Sequence, residues 1–268
     1  MTVDRLTRAV REQIAFGRVL PLGGVGDGAW ITESAAADAL RGAVAGLPGV
    51  RVGALRISPE AGGPDHPEPA AEAERAAGGA GASLVPPSAV PYGPLCLSAS
   101  FEAATDRPLP ATAERLRAAL WRAAHDQLGL PLTTVDHDVT GLMDTPAGPG
   151  ALPAFDAVPQ PAVEGPAGAS GQDPVEAGPA PAANGVVVAA LLVPGVARVT
   201  SRLGGFASGI RTADGGDPPA REVRVQIAVV PGHRALDVAR AVGAAVTEAA
   251  QPGAPGPVTT AVVVTASG

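Results

Sequence analysis

The chain repeats itself, and that constrains its fold more than any other feature. A short Ala/Leu helical stretch ends in Leu47-Pro48-Gly49-Val50, and a second ends in Val193-Pro194-Gly195-Val196. Each is followed by strand-like alternation, an Ala-rich amphipathic helix and an extended segment led by two threonines. Ala111 to Leu120 falls over Asp237 to Val246. Continuing without a gap, Thr133-Thr134-Val135 falls over Thr259-Thr260-Ala261. A unit of this length, given twice, predicts two related modules in tandem.

Within the first module, Thr32 is a predicted N-cap, and Ala36, Leu40, Val44 and Leu47 form the apolar stripe of a short helix. Pro48-Gly49 stops it. Val50, Val52 and Leu55 then read as a strand. Leu95, Leu97, Ala99 and Phe101 alternate with Cys96, Ser98 and Ser100, the period of a half-buried strand. Leu109 to Leu128 is the strongest helix, with Ala113, Leu116, Leu120, Ala123 and Ala124 on one face. Pro131 to Leu142 returns as a strand. The second module repeats this order, with a very apolar helix (Val186 to Val193) expected to be buried on most sides. Arg202 to Phe206 and Asp214 to Gly216 read as hairpin-like turns.

The predicted fold class is therefore α+β: two tandem αββαβ modules, each a three-stranded sheet with helices packed on it. Residues 1–29 are read as an amphipathic helix and a glycine-rich loop. Residues 30–143 are the first module, with a mobile insertion at 59–93. Residues 144–183 are an acidic, disordered Pro/Gly/Ala linker, and residues 184–268 are the second module. Glycine (35) and proline (29) cluster in the insertion and the linker, which cannot bury enough apolar area to offset their ordering entropy. Aromatics are only 3%, so the core is built from Val, Leu and Ala, and its stability is modest unless the modules pack on each other.

Charge excludes some partners. The net charge is −7, and no arginine stands between Arg122 and Arg198, a stretch that holds eight acidic residues. A nucleic-acid binder shows the opposite balance. Every basic residue is arginine and Asn184 is the lone asparagine, a usage that resembles chains of high-GC bacterial genomes. No apolar run approaches the ~20 residues of a bilayer span, and no secretory signal is visible, so a cytoplasmic location is expected. The single Cys96 excludes an intrachain disulfide and reads as a buried, inert thiol. Val3, Leu6, Val10 and Ile14 lie at helical spacing. They either pack on the first module or form a docking stripe for a partner or a membrane surface.

Few residues point to chemistry. Gly23 to Gly28 is glycine-rich but lacks both phosphate-loop and dinucleotide fingerprints, so a turn needing positive φ is the better reading. Asp136-His137-Asp138 is the most site-like cluster. On a strand the two aspartates share one face and His137 takes the other, and the repeat-equivalent positions hold Val262, Val263 and Val264. His137 is thus expected in a core-facing slot as a satisfied histidine, and only as a weak metal candidate. His125 and Asp126 could join it only if helix and strand converged. His66 and His233 fall in loops, as do Asp65/Glu68 and Asp214/Asp217. No nucleophile–base pair emerges, so neither enzymatic activity nor a cofactor is expected.

The Val-Pro-Gly-Val helix end, Leu203-Gly204-Gly205-Phe206, Gly209-Ile210 and Asp237-Val238-Ala239 resemble the alkaline-shock, envelope-stress-response family of bacteria. Leu47-Pro48-Gly49-Val50, Leu128-Gly129-Leu130 and Val135 to Val139 carry the likeness in the first module. It covers most of 30–58, 94–142 and 184–267. The duplication, the insertion and the linker depart from the family pattern, which is a single unit. The resemblance implies a non-enzymatic scaffold that self-associates and reaches the membrane through anchored partner proteins; exposed sheet edges are the expected pairing surfaces. The alternative is a small-molecule or metal-binding protein that uses the cleft between the modules.

Overall fold

The computed structural model describes residues 17–60, 84–86, 88–144, 181–203 and 209–267. Val3, Leu6, Val10 and Ile14, most of the insertion and most of the linker lie outside them. Strands β1 (Val19–Leu22) and β2 (Ala29–Thr32) come first, then helix α1 (Glu33–Val44), β3 (Val50–Pro59) and β4 (Leu95–Ala104). Helix α2 (Leu109–Arg122) runs on through π turns (Ala123–Leu128) into β5 (Leu132–Met143). The second half holds α3 (Pro181–Leu191), β6 (Val196–Val199), β7 (Ile210–Gly215), β8 (Ala220–Val229), α4 (Ala235–Ala250) and β9 (Val258–Ser267). The fold is α+β, with one three-stranded and one six-stranded sheet.

Both modules share one connectivity. In the first, β3 pairs antiparallel with β4, and β4 pairs parallel with β5 across α2. In the second, β8 pairs parallel with β9 across α4, while β6 and β7 pair antiparallel with successive stretches of β8. Together β6 and β7 are the counterpart of β3, interrupted. The break falls where β3 bulges between Val52 and Leu55 opposite β4. Thr200 to Leu203 and Gly209 thus flank the position of a two-residue bulge, while Gly204 to Phe206, read as part of a hairpin-like turn, lie outside the described residues. Gln226 pins both flanks. Its backbone N–H donates to Gly209 O, its C=O accepts from Thr200 N, and its side-chain amide bonds both backbone groups of Leu203.

The third strands match down to a bulge. Thr140 bulges after Val139, and its hydroxyl donates to Phe101 O at 3.2 Å. Thr265 bulges after Val264, and its hydroxyl donates to Ile227 O at 3.2 Å. This match corrects the ungapped alignment. The helices align with Leu116 over Val242 and Leu120 over Val246, all fully buried. The strands then slip by one residue, because Ala124 to Thr140 is one residue longer than Ala250 to Thr265. The slip falls where α2 widens into π turns, the usual signature of a residue inserted into a helix. His137 therefore corresponds to Val262, and Asp136 and Asp138 to Ala261 and Val263.

The second sheet is larger than the three strands expected. Residues read as an N-terminal loop form the β1–β2 hairpin, and β2 adds parallel to β9, with Ala29 opposite Val262. Both faces of this hairpin are apolar, so both are covered. Leu20, Leu22, Ala29 and Ile31 face the main core. Val19 and Trp30 face the other side with Ala261 and Val263. There the Tyr92 ring packs at a tilt on Trp30 (centroids 4.5 Å apart), and Val19 exchanges backbone bonds with Ser88 and Val90. Residues 88–93, expected in a mobile insertion, are thus tied to the sheet.

The glycine-rich turn between β1 and β2 is built around Asp27. Its carboxylate accepts from Gly24 N at 2.7 Å and from Arg240 of α4 in a two-pronged pair at 2.8 and 2.9 Å. The Arg240 hydrogen bond holds the Asp27 carboxyl below its ordinary range. A strand pair preceding the first module is thereby stitched to the second. One continuous apolar core follows, including Leu40 and Val44 of α1, Phe101 of β4, Val225 of β8 and Val246 of α4. With so few aromatics, sharing one core lets these Val and Leu side chains bury almost fully, at roughly 1.5–3 kcal/mol per side chain.

Candidate functional site

The residues singled out for chemistry do not converge. His137 points inward from β5 beside Val135, as alternation requires, and meets the Phe101 ring edge-on at 6.1 Å. It is not the satisfied histidine expected, because neither ring nitrogen has a hydrogen-bond partner among the described residues. Burial, then the nearby Arg117 guanidinium, pushes its pKa below the ordinary 6.5, against weaker opposite pulls from Glu114 and Asp136. Asp136 and Asp138 are exposed on the opposite face. His125 lies in the π turns with its ring on Trp121, centroids 4.9 Å apart. Among the described residues, no three His, Cys, Asp or Glu side chains are arranged to hold a metal ion.

The depressed His137 pKa carries a pH signature. Between its folded and unfolded pKa values the unfolded chain binds more protons, so stability falls as pH drops below about 6.5. His137→Val installs the residue found at the matching position, Val262. It is expected to flatten the loss of stability between about pH 7.5 and about pH 5, as measured by urea midpoints.

Cys96 is half-buried rather than buried. Its thiol donates to Asp136 Oδ2 at 3.6 Å, and desolvation followed by that carboxylate pushes its pKa up. A thiol so placed is a poor nucleophile. Asp214 is held by Arg221 in a two-pronged pair at 2.7 Å and 2.7 Å. The pair Asp65/Glu68 and His66 lie outside the described residues. His233 stands in the turn before α4.

A cleft of about 480 Å³ does lie between the modules. Asp38 and Asp126 line one side, and His233 and Arg234 the other. Arg234 is already engaged: its Nε donates to His125 O at 3.1 Å, and its guanidinium pairs with Asp237 at 3.4 Å.

The most unusual surface is on α3. Its sequence predicts a helix buried on most sides, yet only Val186 and Ala190 of Val186 to Val193 are buried. Val188, Leu191 and Leu192 are 54%, 46% and 76% exposed. The repeat supplies an internal comparison. Aligned on their Pro-Gly ends, Val186 and Ala190 match the buried Leu40 and Val44 of α1. Val188, Leu191 and Leu192 match Gly42, Ala45 and Gly46, which are also exposed. Geometry exposes the same three positions in both helices, but only α3 fills them with large apolar side chains. Hydropathy alone could not reveal this, since it reads the whole run as core.

No family model, curated protein or solved structure matches the chain. Among the described residues, no helix is long and apolar enough to cross a membrane.

Proposed function

We propose that this protein is a non-enzymatic adaptor of the envelope-stress type, working in the cytoplasm and reaching the membrane through an anchored partner protein. The observation that carries the reading is the α3 face. Val188, Leu191 and Leu192 stand exposed where the duplicate helix has glycine and alanine. Large apolar side chains exposed at helical spacing suit an apolar partner. The two-module core supplies a rigid frame for it.

The test is site-specific photo-crosslinking in cells. A crosslinker at Leu192 is expected to capture a protein that one at the matching Gly46 does not. Leu192→Asp in the Val188 crosslinker background should cut that yield by about tenfold, with the fold kept because exposed positions change stability by about 0.5 kcal/mol or less. Equal yields at 192 and 46 would remove the reading. The inter-module cleft favours a second reading, a small-molecule binder, because its volume falls within the ~300–1,000 Å³ of ligand sites. It ranks behind the first because its arginine is already engaged within the protein.

A further inference from the structure

A second surface, separate from α3, lies along the outer edge of β9. β2 covers only part of that edge, from Val262 to Val264. Val262 N donates to Gly28 O, so its backbone groups face the β2 side. Strand alternation turns the N–H and C=O of Thr260 and Val258 the same way. Among the described residues no strand stands opposite them. Beside this open stretch runs a groove of about 610 Å³, walled by α4 and closed at one end by the Asp27–Arg240 pair.

The repeat shows what a closed version looks like. Thr260 corresponds to Val135, and Gly243 of α4 corresponds to Arg117 of α2. In the first module Arg117 reaches across and its Nε donates to Val135 O at 3.3 Å, while its guanidinium pairs with Glu114. The side chain fills the space between helix and strand and caps the outward carbonyl. In the second module, where Gly243 has no side chain, no described residue fills that space or caps Thr260 O. Below it, Thr247 and Thr260 share a hydroxyl hydrogen bond at 2.8 Å that holds the floor of the groove.

We infer that this groove accepts an extended peptide segment of a partner protein, added to β9 as a short strand in line with β2. Three observations identify the occupant. β2 already pairs with the same edge, so the peptide continues an established interface. The outward groups of Val258 and Thr260 supply main-chain hydrogen bonds, and Gly243 makes room for one side chain of the peptide. Asp27 is neutralised by Arg240, whereas Glu248 on the rim has no ion-pair partner among the described residues, so the peptide carries a basic residue there.

The experiment selects a random dodecapeptide display library on the immobilised full chain, then measures the selected peptides by fluorescence anisotropy. Expected are β-branched sequences with an arginine or lysine. Their affinity should fall about tenfold or more on Gly243→Arg, which installs the plug of the first module, and less on Glu248→Gln. A Cβ at Gly243 meets only Val262 Cγ2 at 3.8 Å, an ordinary contact, so the variant folds, and circular dichroism checks this. Peptides that bind wild type and Gly243→Arg equally, or an empty selection, overturn the inference. So does a concentration-dependent dimer that Gly243→Arg dissolves, since the occupant is then a second copy. A loss of peptide binding on Leu192→Asp but not on Gly243→Arg would assign the peptides to α3 instead.

Discussion

Trp30→Ala is expected to destabilise the protein by about 3–5 kcal/mol, a large share of the roughly 5–15 kcal/mol that holds a domain folded. Trp30 is fully buried. It lies on the far face of the six-stranded sheet among Val19, Ala261 and Val263, under the Tyr92 ring. Its removal leaves a cavity that β-sheet backbone on one side and residues 88–92 on the other cannot collapse to fill. Trp30→Phe keeps an aromatic ring and removes an indole N–H that has no partner among the described residues, so it should cost far less. Urea denaturation followed by circular dichroism measures both. A double-mutant cycle with Tyr92→Ala should return a coupling of about 0.5–1.5 kcal/mol. A Trp30→Ala loss under about 1 kcal/mol would mean that the β1–β2 hairpin is an accessory to the second module and not part of it.

That hairpin also marks where the sequence stopped being legible. The repeated unit was readable because Leu116 and Val242, or Leu40 and Val186, keep the same apolar spacing in both copies. Val19-Leu20 and Ala29-Trp30-Ile31 had no copy to be compared with. The glycines between them drew the reading toward a loop. The missed signal was two short β-branched and aromatic runs flanking a glycine turn, which is hairpin grammar. Their partner was more remote still. Nothing local tells β2 to pair with β9, more than two hundred residues away.

The candidate surfaces failed to appear for a different reason. Binary patterning says which residues want burial, not which ones obtain it. Val188 and Leu192 read as core until α4, β6 and β7 are seen to cover only one side of α3. Gly243 over Arg117 was visible in the aligned helices, but a glycine opposite an arginine carries no meaning until β9 and β5 are known to run beside them. His137 shows the reverse case. Its inward direction followed from alternation alone, whereas its missing hydrogen-bond partner and its true counterpart, Val262, required the π turns that shift the strand by one residue.

The second large effect concerns the seam. Gly129→Ala should cost about 2–4 kcal/mol, with two causes that can be separated. Gly129 ends the π turns in the left-handed region (φ 84°), which is unfavourable for a side chain. In addition, a Cβ there would sit 2.6 Å from Leu236 Cβ at the start of α4. The same glycine accepts a backbone bond from Gly23 at 3.0 Å, so three distant parts of the chain meet at one residue. Gly253 is the control. Its φ is 69°, but nothing lies within 4 Å of an added Cβ, so Gly253→Ala should show only the conformational cost of about 1–2 kcal/mol. Leu236→Ala alone loses core contacts, yet in the Gly129→Ala background it also removes the Cδ2 and Cγ atoms that would lie 2.8 and 3.2 Å from the new Cβ, leaving only the Cβ contact, so the double mutant should be somewhat less destabilised than the sum of the two single mutants. Because one core runs through both modules, unfolding should remain a single transition in each variant. If Gly129→Ala and Gly253→Ala cost the same, the two modules are not held tightly at this point. Two separate transitions would mean that the shared core does not couple them.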